Sequence, residues 1–415
     1  MLNFNLKRLG PGLLFAGAAI GVSHLVQSTR AGADFGLGLL WALLLVNIFK
    51  YPFFQYGARY SSATGESLLD GYKKLGSPIL IIYYILSFAT IFTIQTAVTI
   101  VTAGIATTLF GDFPGISIGN MDISSIQIWT VVITIICLII VFVGKYKLLD
   151  VLMKIIIITL SISTVAAVIV AFTNNSNPIN FTQIFPKGAI EISFLAAFMG
   201  WIPAPLDIAV YHSLWAVEKQ KDNKNFNTKT ALFDFNIGYS STIILGICFL
   251  FLGYLVMFGS NETFSNSGAI FSNQLIEMYT SNLGKWSYVI IGIAAFTTMF
   301  STTLTTLDAS PRAMHRSSQL LFKKEFKKGF QFWISILTIG TIIIFFVFAS
   351  EMGLLIKIAT ILSFITAPFY AVINYVLIRS KHTPQKAKPP LWLHILSWLG
   401  ILFLTGFSIW YLTTL

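Results

Sequence analysis

The chain has 415 residues, of which 55% are apolar and only 10% are charged, and its mean hydropathy is +0.78. A water-soluble protein carries roughly 25% charged residues, so this composition excludes an ordinary soluble domain and indicates a protein that lies in the bilayer. The formal charge of +11 does not indicate a nucleic-acid partner, because the basic residues lie in short loops between apolar segments.

Apolar segments of about 20 residues, the length that crosses the hydrocarbon core, follow one another along the chain. They predict an all-α integral membrane protein with eleven transmembrane helices, in which residues 1–415 form a single membrane domain. The predicted spans cover residues 11–33, 35–58, 78–108, 126–144, 148–172, 188–217, 236–258, 284–307, 331–349, 352–378 and 391–412.

The loops between these spans differ in charge from one side to the other. With the N-terminus in the cytoplasm, the inner side collects 21 Lys and Arg and the outer side only three, namely Arg30, Lys187 and Lys285. Cytoplasmic loops are enriched in Lys and Arg, so the bias predicts a cytoplasmic N-terminus and an extracytoplasmic C-terminus in a plasma or inner membrane.

The first ten spans divide into two sets of five, over residues about 11–172 and 188–378, with an additional helix at 391–412. Because five is odd, the two sets enter the membrane from opposite sides, as in an inverted repeat. Transporters built in this way bind their substrate near the membrane midplane, between broken helices of the two halves. We therefore expect a break in span one and another in span six.

Span six has the clearer break, because Pro203 and Pro205 lie near its middle. Pro203 cannot donate a hydrogen bond to the carbonyl of Met199, and Pro205 cannot donate to that of Trp201. Unpaired carbonyls at this depth are tolerated only beside protein or a water-filled cavity, and the carbonyl end of a half-helix favours a cation. The Met199 and Trp201 carbonyls are thus candidate cation ligands, and a simple proline kink is the alternative.

Asp207 follows this break directly. A charged side chain near the bilayer centre costs about 2.5–3.5 kcal/mol even on insertion scales, so such a residue is by default a functional hypothesis. No Lys or Arg lies at the same depth on span one or six, so a bound cation is the expected partner. The alternative is a structural, hydrogen-bonded aspartate.

The break in span one is expected around Gly21, with Ser23, His24 and Gln27 as candidate polar ligands. Glycine and the two polar side chains that follow it weaken a helix, although no proline is present. A histidine here is more often a hydrogen-bonded residue of the helix bundle than a ligand, and both interpretations stay open.

The chain also resembles a known family, the Nramp divalent-metal transporters. The resemblance rests on the sequence Gly10-Pro11-Gly12-Leu13-Leu14-Phe15-Ala16-Gly17-Ala18, on Ala31-Gly32, Phe35-Gly36 and Leu39-Leu40-Trp41, on the residues of span two around Gln55-Tyr56, Ala58-Arg59 and Ala63-Thr64-Gly65, and on His212-Ser213 and Pro368-Phe369. It implies a 5+5 inverted repeat of the leucine-transporter type, with the substrate site between the broken helices.

The usual metal-binding motifs of this family are missing. Its first-helix Asp-Pro-Gly-Asn falls on Gly21-Val22-Ser23-His24, and its sixth-helix Met-Pro-His falls on Ala204-Pro205-Leu206 or Ile202-Pro203-Ala204, so Ala204 joins the candidate positions. Where the family has a carboxylate proton path in span three, this chain has Gln95 and Val98, which makes proton coupling doubtful. Oxygen ligands without a thioether suit hard cations such as Mg²⁺ or Mn²⁺.

Two charged residues at the cytoplasmic end of span eight, Asp308 and Arg312, are a possible gate. Their spacing of four residues equally suits an ordinary ion pair on one helix face, which is the alternative. Cys137 and Cys248 each lie within an apolar span and indicate no disulfide or thiolate metal site.

These features predict a secondary transporter that imports a hard cation, and not an enzyme, since phosphate-binding and zinc-protease motifs are lacking. We expect no cofactor, a small cation or solute as the partner within the lipid bilayer, and a monomer. The alternatives are a carrier of a small organic solute, such as an amine or amino acid, on the same fold, and a non-transporting sensor. An organic solute needs a cavity of roughly 300 Å³ or more.

Overall fold

The computed structural model describes residues 9–118, 121–175, 178–223, 226–259, 265, 268–284, 288–348 and 352–414. Its helices, in chain order, are α1 (Pro11–Ala19), α2 (Thr29–Phe35), α3 (Leu40–Thr64), α4 (Leu68–Leu75), α5 (Ser77–Phe110), α6 (Ser125–Asn174), α7 (Ala189–Trp201), α8 (Ile208–Asp222), α9 (Thr228–Met257), α10 (Gly268–Leu283), α11 (Tyr288–Phe322), α12 (Gly329–Phe348), α13 (Met352–Arg379) and α14 (Leu391–Thr413).

The predicted spans all fall on these helices, and the described residues contain seven helical stretches that are long and apolar enough to cross a membrane, two of them within α6. An eighth span is the pair α1 and α2, joined by a π-helical turn at Ser23–Ser28 and bent by 47° at the break before it. The remaining predicted spans fall on α3, on α7 with α8, and on α11. The chain is therefore an integral membrane protein, as predicted.

Spans four and five form one continuous helical segment, α6, rather than two helices separated by a loop. The ends of α6 nevertheless contact the same side of the bundle: Trp129 donates to the carbonyl of Gly111 after α5, and Phe172 packs against Phe251 towards the end of α9. A straight helix between these two contacts would be about 65 Å long. Two apolar stretches of α6, Ser125–Val143 and Val151–Thr173, are each long enough to cross the membrane, which agrees with two spans.

Several short elements are absent from the prediction. The loop after α3 contains the amphipathic helix α4, which begins at a capping box formed by Ser67 and Asp70. An antiparallel pair of strands, β1 (Ile116–Ile118) and β2 (Met121–Ile123), precedes α6. The helix α10 lies between α9 and α11, and α11 continues well beyond the predicted end of span eight. None of these segments carries a long apolar run, so hydropathy alone does not reveal them.

The N-terminal half-helix α1 packs closely against α9. A side chain at Gly12 would lie 2.1 Å from the carbonyl oxygen of Asp234, and one at Gly238 would lie 2.0 Å from that of Gly12, so both positions require glycine. The Asp234 carboxylate accepts hydrogen bonds from the backbone amides of Gly10 and Gly12 at 3.0 and 2.7 Å. These are unpaired amides at the start of α1, and the carboxylate suits the positive end of the helix dipole.

Candidate functional site

The break in the first span lies where the sequence predicts it. Helix α1 ends at Ala19, and the amides that would continue it bond elsewhere, with Gly21 donating to Ala19 and His24 donating to Gly21, both at 3.1 Å. A side chain at Gly21 would lie 2.5 Å from the Thr302 hydroxyl. Glycine therefore lets the broken segment approach α11, where Thr302 is within 3.1 Å of the Gly17 carbonyl and 3.3 Å of the Ile20 carbonyl.

Of the polar residues at this break, His24 and Gln27 do not line the cavity described below. His24 is fully buried, and its Nε2 lies 2.9 Å from the Thr242 carbonyl of α9 while its Nδ1 lies 2.6 Å from the Ser23 hydroxyl. Because a carbonyl can only accept, Nε2 must carry a hydrogen and cannot ligate a metal. His24 therefore ties the broken helix to α9 and is not placed as a ligand. The buried Gln27 also lies outside the cavity described below, although its Oε1 has no hydrogen-bond partner.

The break in span six separates α7, which ends at Trp201, from α8, which begins at Ile208. Pro203 and Pro205 lie in the intervening segment, as predicted. Asp207 stands at the N-terminus of α8, where the helix dipole favours a negative charge. Asp207 is 5% exposed, its Oδ2 is 3.4 Å from the Tyr211 hydroxyl, and its Oδ1 has no hydrogen-bond partner in the part of the chain that the structure describes.

A small cavity of about 30 Å³ separates the two breaks. Its volume is far below the roughly 300 Å³ that an organic solute requires. The polar groups that line it belong to Ser23, Asp207, Tyr211, Thr302 and Thr306. Apolar walls surround them, formed by Ala18, Ala19, Val22, Ile94, Val98, Trp201, Pro205 and Ile208. The cavity thus offers one carboxylate and several hydroxyls to a small ligand.

Lys50 of α3, which the sequence analysis does not single out, occupies the carbonyl side of the break in span six. Its Nζ donates to the carbonyls of four residues at 2.7–3.2 Å: Met199, Gly200, Ile202 and Ala204. The side chain is completely buried, and its charge interacts with that of Asp207. A lone lysine within an apolar span is a sufficient signal to have singled it out.

This lysine corrects one premise of the sequence analysis. Asp207 does have a basic residue near it, contributed by span two rather than by span one or six. The Met199 and Ala204 carbonyls, two of the candidate ligands, are bonded to Lys50. The third candidate in this segment, the Trp201 carbonyl, is not among the four acceptors bonded to Lys50; Trp201 lines the cavity, and its Nε1 donates to Ser363 at 2.9 Å. Of the predicted set, Asp207 and Ser23 are brought together at the cavity.

Gln95 and Val98 of α5, which stand where the Nramp resemblance implies a carboxylate proton path, lie beside the cavity. Gln95 accepts a hydrogen bond from Thr306 at 2.7 Å and donates to the Thr303 carbonyl at 3.3 Å, while Val98 lines the cavity itself. These groups do not titrate in the physiological range. The network therefore holds α5 and α11 together without a proton-accepting side chain of its own.

Asp308 and Arg312 form a bidentate pair within α11, at 2.7–2.9 Å. Both lie on one helix, so the pair itself does not connect two moving elements, although Arg312 also stacks over the Phe330 ring at 5.0 Å. Arg312 lines a larger cavity of about 660 Å³, on the predicted cytoplasmic side. An ion pair between Arg316 and Asp70 beside it joins α11 to α4. A gating role for Asp308 and Arg312 stays a prediction.

Two broken spans, with a buried carboxylate and a small polar cavity between their breaks, define a secondary transporter of the inverted-repeat class. Comparison with known proteins identifies the family. The sequence pattern of the Nramp family, described as natural resistance-associated macrophage protein-like, matches residues 12–414. The chain therefore belongs to the Nramp family.

Individual relatives agree with this assignment. An uncharacterized protein of Pasteurella multocida, PM0681, is 36% identical over 408 residues, which cover 97% of this chain and 90% of that protein. A divalent metal cation transporter, MntH, of Staphylococcus saprophyticus is 23% identical over 97% of this chain and 90% of its own length. The crystal structure of a manganese transporter from Eremococcus coleocola superposes with a TM-score of 0.74 at 14% identity, covering 97% of this chain and 85% of that one.

Proposed function

We propose that this transporter imports a hard divalent cation, of which Mg²⁺ and Mn²⁺ are the best candidates, with Asp207 as its only charged ligand. The observation that carries the proposal is the buried Oδ1 of Asp207, which has no hydrogen-bond partner among the described residues and lies at a cavity lined by hydroxyl groups. Carboxylate and hydroxyl oxygens are the ligands that suit hard cations.

The alternative of an organic solute is not favoured, because a relative and a structural neighbour of this chain are metal transporters and the cavity of about 30 Å³ is far below the roughly 300 Å³ that such a solute requires. A non-transporting sensor would need no opening towards either side of the membrane. The family relationship and the two broken helices favour a carrier over a sensor or an enzyme.

We infer the topology, the oligomeric state and the coupling of the transporter mainly from its sequence. The charge bias of the loops supports a cytoplasmic N-terminus and an extracytoplasmic C-terminus in a plasma or inner membrane. One chain supplies both broken helices, as a single transporter domain with repeats over about 11–172 and 188–378, so a monomer suffices for transport. We infer that transport is not coupled to protons, since neutral Gln95 and Val98 stand beside the cavity.

Uptake into proteoliposomes tests the proposal directly. Purified protein is reconstituted, and Mg²⁺, Mn²⁺, Fe²⁺ and a panel of amino acids are offered with and without a pH gradient. We expect saturable uptake of Mg²⁺ or Mn²⁺ that is independent of the pH gradient. Uptake of an amino acid without any uptake of the three metals would overturn the proposal.

A further inference from the structure

The break in span six releases several backbone carbonyls, and Lys50 collects them. Pro203 has no amide to offer the Met199 carbonyl, and the Ile208 amide bonds to Pro205 rather than to Ala204. All four of the carbonyls that surround the Lys50 ammonium lie between residues 199 and 204. The C-terminal, carbonyl end of α7 favours a cation, and it is therefore already paired with a positive charge.

The geometry around Nζ matches an ammonium ion. Four acceptors and no donor are bonded to it, at 2.8, 2.7, 3.0 and 3.2 Å. An ammonium has three hydrogens and no acceptor, so each hydrogen finds a carbonyl and one bond is shared. Rings of backbone carbonyls bind small monovalent cations by replacing their water shell. The chain supplies such a cation on its own side chain.

Because Lys50 is buried, loss of its hydrogen bonds or of its opposite charge would destabilise the protein. Lys50 is 0% exposed, and a buried charge is tolerated only when it is hydrogen-bonded and balanced by an opposite charge. The carbonyls provide the hydrogen bonds, and Asp207, whose charge interacts with that of Lys50, provides the balance. Lys50 and Asp207 together carry no net charge.

We propose that Lys50 is a resident cation that takes the place of an ion from solution at the helix break, and that it thereby determines which ligands the transported ion can use. The proposal rests on the proposed function. With four carbonyls bonded to Lys50, the transported ion is restricted to the cavity on the other side of Asp207, where Ser23, Tyr211 and Thr302 present hydroxyls. The lysine itself is a positioning residue and does not touch the transported ion.

Chemical rescue tests this proposal: Lys50 is replaced, and an alkylammonium ion is added to the solution to occupy the vacated space. The Lys50→Ala variant leaves the carbonyls without a cation and removes the carbon chain that fills the space beside them. n-Propylammonium supplies the missing carbon chain and ammonium group. We expect the variant to lose on the order of 5 °C in melting temperature and at least about tenfold in Mn²⁺ uptake. Added n-propylammonium, present from solubilisation onwards, should restore about half of both losses, with a saturable concentration dependence.

Controls separate this effect from those of salt and folding. Tetramethylammonium at equal concentration has no N–H group and should restore nothing. Lys357→Ala removes a lysine that is exposed on α13, and neither amine should change its melting temperature or its uptake. Lys50→Met keeps a side chain of similar length without the charge, so it should lose stability and gain nothing from n-propylammonium.

The outcomes bear separately on the two proposals. A Lys50→Met protein as stable and active as the wild type, or a Lys50→Ala protein that responds equally to both amines or to neither, would show that the break needs no cation and would overturn the inference. If Lys50→Ala is recovered folded only from preparations with n-propylammonium, the inference is supported. Absence of any divalent uptake by the wild type refutes the proposed function alone, since the melting temperatures still report on the carbonyls around Lys50.

Discussion

Replacement of Asp207 by asparagine removes one charge from the cavity and keeps the shape of the side chain. Among the described residues, Oδ1 has no hydrogen-bond partner, and Oδ2 lies 3.4 Å from the Tyr211 hydroxyl. The substitution therefore breaks few hydrogen bonds, but it removes both the charge that balances Lys50 and an electrostatic attraction for a bound cation. We expect it to abolish cation uptake and also to lower the stability of the protein, because Lys50 is left buried without an opposite charge.

The size of the effect on binding follows from Coulomb's law. Two unit charges about 4 Å apart interact by about 4 kcal/mol at an effective dielectric constant of about 20, and a divalent ion interacts about twice as strongly. Even the smaller figure corresponds to roughly a thousandfold loss of affinity. Loss of the charge opposite a buried lysine costs about 3–5 kcal/mol, so the melting temperature should fall by roughly 5–10 °C.

Proteoliposome uptake of Mn²⁺ and thermal melting of the detergent-solubilised protein measure the two effects separately. Asp34→Asn makes the same chemical change on an exposed carboxylate of α2 and should leave both unchanged. Saturable uptake by Asp207→Asn with wild-type affinity would refute the assignment of Asp207 as the charged ligand. A variant that fails to fold, beside a normal Asp34→Asn protein, would instead identify Asp207 as a structural residue.

Three further predictions concern coupling, packing and topology. Mn²⁺ uptake should not acidify liposomes loaded with a pH-sensitive dye, because the described groups of α5 beside the cavity are neutral; stoichiometric acidification would require a proton route elsewhere. Gly21→Ala should lower stability by roughly 1–3 kcal/mol in thermal or denaturant unfolding, because the added methyl group would meet Thr302 at 2.5 Å, whereas Gly406→Ala, with open space beside it, should be neutral. In a cysteine-free background, cysteines at exposed Thr182 and Asp222 should react with an impermeant thiol reagent from outside and inside respectively, and the reverse pattern would invert the proposed topology.

The breaks in the two helices could be predicted because their causes are local. Pro203 and Pro205 lack amides regardless of what surrounds them, and the structure separates α7 from α8 at these residues. Asp207 stood out for a similar reason, since a carboxylate within an apolar span is conspicuous in any sequence. The number and order of the spans likewise depend on the length of each apolar segment, which is a local property.

The partners of the polar residues could not be predicted, because they lie far away in the sequence. Lys50 bonds to carbonyls about 150 residues further along the chain, and His24 lies against Thr242, 218 residues away. Only the packing of α3 and α9 against the two breaks brings these groups together. The sequence shows that Lys50 is within a span, but it does not show that the span faces the second break.

The position of Lys50 also bears on how a member of this family can lack the usual metal-binding motifs and still keep its fold. A broken helix inside a membrane is stable only if its released carbonyls find a partner, and a bound ion is one such partner. Here the partner is covalently part of the chain, so the break in span six stays paired whether or not an ion is bound. The transported ion is then not needed to pair the carbonyls of this break. Its affinity depends instead on Asp207 and the hydroxyls of the cavity. Substitutions among those hydroxyls should therefore change which ion is preferred while the break itself is preserved.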